Sequence, residues 1–97
     1  MRIYSSSPVD LFENLYESDS QTVTHLHIAR DKSSGWHSVD FTVVVVPISG
    51  TVRFSTHDNS RTITVGDIVR MVPGEEHNLE GLGEVDCDLM VIKSKLV

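Results

Sequence analysis

The chain has a single cysteine, Cys87, so no internal disulfide can form and nothing in it asks for an oxidising compartment. It also lacks any apolar run approaching the ~18 residues needed to span a bilayer. No charged-then-apolar leader opens it, and together these absences predict a cytoplasmic protein without a membrane partner. Basic residues are scarce as well: 8 against 14 acidic ones, for a formal charge of −6. Lys93 and Lys95 are the nearest thing to a basic cluster. A nucleic-acid or anionic-membrane surface needs the opposite balance, because phosphate contacts come mostly from Lys and Arg. Neither partner is expected. Internal repeats and linkers are missing too, so residues 1–97 read as one domain. A chain of this length buries roughly three-fifths to two-thirds of the surface it exposes when unfolded, enough for a core without staples.

What is present from residue 21 onward is a series of short β-rich runs cut by turn residues, the pattern of an all-β sandwich or barrel. QTVTHLHIA (21–29) reads as a strand and DKSSG (31–35) as a loop. VDFTVVVVPI (39–48) is a long strand that Gly50 ends. TVRFST (51–56) and RTITV (61–65) form a hairpin around HDNS (57–60). IVRMV (68–72) lies between the Gly66-Asp67 and Pro73-Gly74 turns, and VDCDLMVIK (85–93) is the last long strand. The first 20 residues differ, and read as a segment packing on a barrel formed by residues 21–93. Ser7 as N-cap, Pro8 at the first helical position and Asp10 in the first turn predict a short helical turn there. The i, i+4 pairs Leu11/Leu15 and Phe12/Tyr16 support it.

Val43, Val44, Val45 and Val46 follow one another, and successive strand side chains point to opposite faces. Such a run wants cover on both sides. One face is the barrel interior; the other is expected to meet the N-terminal segment or, preferably, a second copy in a homodimer.

VGDIVRMVPGEEHN (65–78) places Gly66, then Gly74, then His77 at the spacing of the second motif of the cupin superfamily, which this stretch resembles. Val72 stands at the motif's proline position with Pro73 beside it, and Gly81 stands where an asparagine sometimes follows the histidine. PISGTVRF (47–54) looks like the hairpin closing the first motif. The resemblance covers roughly residues 21–93 and implies a double-stranded β-helix, a jelly-roll cupin barrel with a ligand at its mouth. The first motif carries two histidines and a glutamate at fixed distances before its glycine. Counted back from Gly50, those positions hold His37, Val39 and Val43. Of the ligands the resemblance implies, only His37 and His77 remain. Asp40 lies on the opposite strand face from His37 unless a bulge or a slip intervenes.

Catalytic zinc takes three protein ligands plus water, and non-haem iron commonly two histidines and a carboxylate. Two imidazoles alone are therefore expected to hold iron, manganese, zinc or nickel weakly. His25 and His27 form a His-x-His pair on one strand face. Alternation favours Leu26 and Ile28 as the inward residues, with the histidines facing solvent or a partner. It leaves open the reverse facing, in which His27 or His25 joins His37 and His77 as third ligand.

The remaining candidates have plainer readings. His57 is a turn residue, and Glu75 and Glu76 are most simply solvated, although one of them beside His77 is placed to orient its ring. Trp36 is expected at the pocket mouth or an interface. Cys87 alternates with Asp86 and Asp88, which turns it inward as a packing residue without an evident base to make it a nucleophile. The expected pocket is apolar: Trp36, Val39, Phe41, Val43, Met71, Cys87, Leu89 and Val91 around His37 and His77. Three functions fit. The first is a barrel binding a small molecule, with at most a labile divalent ion. The second is a metal-dependent oxygenase or isomerase using His27 or His25. The third is a dimerisation or regulatory module.

Overall fold

Short alternating runs separated by turns condense into eight strands in the computed structural model, which describes residues 1–95. They are β1 (Phe12–Glu17), β2 (Gln21–Ile28), β3 (Thr42–Ser49), β4 (Thr51–Thr56), β5 (Ser60–Thr64), β6 (Val69–Met71), β7 (His77–Gly81) and β8 (Cys87–Ser94). All pairings between them are antiparallel. One sheet runs β1-β2-β8-β3-β6 and the other β5-β4-β7. Pairing of the last strand between β2 and β3 is the crossover of a jelly roll. Among the described residues no helix is long and apolar enough to cross a membrane.

The core lies between the sheets. Ile28, Val43, Val45, Met71, Leu89 and Val91 come from the large sheet, and Val52, Phe54, Ile63 and Leu79 from the small one. Gly50 turns the chain from one sheet to the other with φ +77°, and a Cβ there would come within 2.3 Å of the Asp86 carbonyl oxygen. Only glycine fits that corner.

The expected N-terminal helical turn over Ser7 to Tyr16 does not form. Residues 12–17 are instead the edge strand β1, paired along β2 with a register shift between Asn14 and Tyr16. Two isolated helical turns are marginal in water, whereas the free edge of β2 offers a row of unpaired backbone groups. Tertiary hydrogen bonding overrides the local pattern. β7 is a second departure: the sequence pattern marks only a histidine after a turn, whereas residues 77–81 pair with β4 from Val52 to Thr56.

The valine run behaves as parity demands. Val43 and Val45 are each 2% exposed inside the barrel. Val44 and Val46 point out from the large sheet and remain half-buried, in register with Ile92 and Met90.

Candidate functional site

His77 opens β7, and His37 lies opposite it in an isolated antiparallel bridge. The two residues exchange both backbone hydrogen bonds, at 3.0 and 2.9 Å. Opposed residues in such a bridge put their side chains on one side. The ring centroids are accordingly 4.1 Å apart, tilted by 60°.

Each ring is fixed by its own turn. His37 Nδ1 donates to the Gly35 carbonyl at 2.9 Å, and His77 Nδ1 to the Glu75 carbonyl at 3.1 Å. A carbonyl can only accept, so Nδ1 carries the proton and the neutral ring keeps its lone pair on Nε2. Neither Nε2 has a protein partner, and no buried side-chain nitrogen or oxygen among the described residues is unsatisfied, so both stay accessible. His77 is 5% exposed, with Phe54 stacked parallel to it at 5.7 Å. Burial holds its pKa below the ordinary 6.5; the Glu75 carbonyl works the other way, and the charges of His37 and Lys93 reinforce the lowering. At neutral pH it is an acceptor, not a cation. Glu75 thus orients His77 through its main chain, while Glu76 pairs with the exposed His57 at 3.3 Å.

Both imidazoles line a cavity of about 770 Å³. Val39, Phe41, Val43 and Val91 stand on its wall, joined by Leu26, Val45 and Leu79. The expected pocket needs four corrections. Cys87 and Leu89 are 0% exposed and belong to the core behind the wall. Burial pushes the Cys87 thiol up to about 11, which leaves it inert as a nucleophile. Met71 lines a different, smaller cleft of about 380 Å³ with Ile63 and Arg70. Trp36 lies outside the cavity, stacked on His57 at 4.6 Å.

His27 is among the residues lining the same cavity, but its imidazole and that of His25 are engaged by aspartates and do not join His37 and His77. Leu26 pairs with Leu89 and Ile28 with Cys87, which fixes those residues inward and turns both imidazoles to the outer face. There Asp88 Oδ1 lies 2.8 Å from His25 Nε2 and 2.9 Å from His27 Nδ1, and Asp86 Oδ2 lies 3.3 Å from His27 Nε2. Ser6 reaches His25 Nδ1 from the N-terminal segment and covers it. The Asp88 hydrogen bond raises the His27 pKa against the opposing effect of burial. Burial raises that of Asp88, but hydrogen bonds from His27 and His25 outweigh it and leave the carboxyl below 3.8. The expectation of a third ligand from this pair is thereby overturned.

The donor set at the mouth does not fit a resident divalent ion. Two imidazoles are present, valines occupy the neighbouring positions, and no group of three or more His, Cys, Asp or Glu among the described residues is placed to hold a metal.

Sequence reasoning missed one wall residue of consequence. Lys93 follows Cys87, Leu89 and Val91 on the inward parity of β8, and it lines the same cavity beside Thr22. Carrying the alternation two residues further would have found it.

No protein-family profile matches the sequence, and no curated protein does. Solved structures do resemble the fold. An RmlC-like cupin family protein of Methanocaldococcus jannaschii, with a double-stranded β-helix fold, superposes with a TM-score of 0.86 at 15% identity, over 98% of this chain and 91% of that one. A conserved protein of Klebsiella pneumoniae with a double-stranded β-helix domain gives 0.84 at 17% identity, over 97% and 90%. The DMSP lyase DddQ of Ruegeria pomeroyi gives 0.79 at 17% identity, over 86% of this chain and 45% of the lyase. Eight antiparallel strands in this crossover order, with these likenesses, give the chain the fold of those structures: an all-β, double-stranded β-helix barrel.

Proposed function

We propose that this barrel is a small-molecule binding protein whose ligand enters the cavity and donates hydrogen bonds to His37 and His77. One observation carries the reading: two imidazoles, each with Nδ1 fixed on a carbonyl, keep their Nε2 acceptors free on the wall of a mostly apolar cavity of about 770 Å³. Cavities of this size take ligands of drug-like dimensions, and a few placed polar groups set the orientation. A hydroxyl or N–H on an apolar body suits the two acceptors. A divalent ion at this pair would be held loosely, with water completing its shell. The apolar outer stripe of Val23, Val44, Val46, Met90 and Ile92 supports a homodimer, with the cavities left open to ligand.

The test compares 2-naphthol, which carries a hydroxyl donor, with 2-methoxynaphthalene, which does not. Wild-type protein should bind the naphthol several-fold more tightly by fluorescence titration. His77→Ala should remove that preference while the far-ultraviolet circular dichroism stays unchanged. Unaltered naphthol binding by the variant would show that the pocket is not here.

A further inference from the structure

The cavity wall combines apolar side chains such as Val39, Val43, Val45 and Val91 with charged ones at Asp10, Glu17, Lys32 and Lys93; Asp10, Glu17 and Lys32 are exposed, and Lys93 is the half-buried one. Thr22, Lys93, Val43 and Met71 lie in one row across β2, β8, β3 and β6. In the next row Thr24 stands beside Val91 and Val45, and its hydroxyl donates to Asn14 Oδ1 at 2.7 Å. Thr22, Thr24, Asn14 and Lys93 all line the cavity. Lys93 is half-buried there, and no carboxylate among the described residues lies within ion-pair distance of it.

An inward lysine is costly to place in a barrel unless something meets its charge. Burial of an ammonium without a partner is unfavourable, and a long polar side chain ordinarily snorkels to water. β8 ends at Ser94, and the register sets Lys93 between Thr22 and Val43 on the row that faces the cavity. Its charge reaches the imidazole pair, since Lys93 counts among the groups that oppose protonation of His77. Glu17 also lines this end, but it pairs with Thr22 from the far side, two strands from Lys93, and is exposed. At about 4.8 Å per strand spacing the backbones are ~10 Å apart, and water screens the glutamate.

We propose that Lys93, with the Thr22 hydroxyl beside it, anchors an anionic headgroup, so that the molecule taken by this barrel is a small carboxylic acid with an apolar body. The inference rests on the binding reading above and narrows it to a chemical class. The carboxylate meets the ammonium at the Lys93 corner, and the apolar body lies against Val43, Val45 and Val91. A donor elsewhere on the ligand reaches the two imidazoles. Charge-assisted hydrogen bonds are about twice as strong as neutral ones, which sets the expected discrimination at roughly tenfold or more.

The probes are octanoate, 1-octanol and octylamine, which share one apolar body and differ in headgroup charge, measured by calorimetry on the full chain. Wild-type protein should bind octanoate at least tenfold more tightly than 1-octanol, and octylamine least of the three. Lys93→Met should bring octanoate down to the level of octanol and leave octanol unchanged; Lys93→Arg should restore the preference. Equal binding of octanoate and octanol by wild type and Lys93→Met would overturn the anionic anchor while leaving the cavity a binder. A preference for octylamine would overturn it in favour of Glu17. Failure of all three probes to bind would overturn the binding reading itself, and this inference with it.

Discussion

A single carboxylate oxygen, Asp88 Oδ1, is shared between His25 and His27 on the outer face of the large sheet, at 2.8 and 2.9 Å. The acid is thereby tied to β2 and, through Ser6 on His25, to the N-terminal segment. Two strands, β2 and β8, meet at one oxygen, and the N-terminal segment reaches it through His25.

This sharing predicts a pH dependence of stability. The His27 pKa is raised in the fold, so its contribution is complete below its ordinary 6.5 and is lost as pH rises through the folded value. The Asp88 pKa is lowered, so its contribution is complete above 3.8 and is lost as pH falls through the folded value. The pair therefore stabilises most in the window between those two values. His77, whose pKa is lowered, acts in the opposite sense to His27: its contribution is present above 6.5 and lost as pH falls. Asp88→Asn isolates the pair. Denaturant unfolding should show a loss of about 1–3 kcal/mol at pH 5.5 that shrinks by pH 8.5. A loss of equal size at both pH values would contradict the assignment.

Rebuilding the missing ligands should create a metal centre. Val39 and Val43 line the cavity with His37 and His77, at the positions where the cupin resemblance expects a histidine and a glutamate. Val39→His with Val43→Glu should retain close to one nickel or iron per chain after dialysis, where wild type retains well under one. The metal-free variant should lose about 2–4 kcal/mol of stability, because a carboxylate replaces a residue only 2% exposed. Added ion should restore the melting temperature. A double variant that still loses its metal would mean that these four side chains do not converge.

The outer stripe should make the protein dimeric. Val44→Lys places a charge in the middle of it, in register with Ile92. Sedimentation should show wild-type dimers and variant monomers, with circular dichroism unchanged because Val44 is already half-exposed in one chain. A monomeric wild type would remove the partner from this face.

The barrel was legible because its signals are local. Alternation over Val39, Phe41, Val43 and Val91 placed the wall, and the spacing of Gly66, Gly74 and His77 placed the histidine. What escaped depended on neighbours distant in sequence. Residues 12–17 carry helical spacing, yet their conformation is decided by the free edge of β2. Period-2 reasoning gave the two facings of His25 and His27 but could not choose between them. The choice is made by the pairing of Leu26 with Leu89, and by two aspartates more than fifty positions away. Trp36 had the size of a pocket wall, but it found His57 across the mouth instead.

Gly81 occupies the position where the cupin motif sometimes has asparagine, and any Cβ placed there would stand 2.2 Å from the Ala29 carbonyl oxygen. The main chain leaving β2 is therefore seated directly on the backbone of β7, with no side chain to hold the two apart. Any larger residue at this point has to push the Ala29–Arg30 backbone outward, so the spacing between the two sheets at this corner is set by the lack of a single carbon atom.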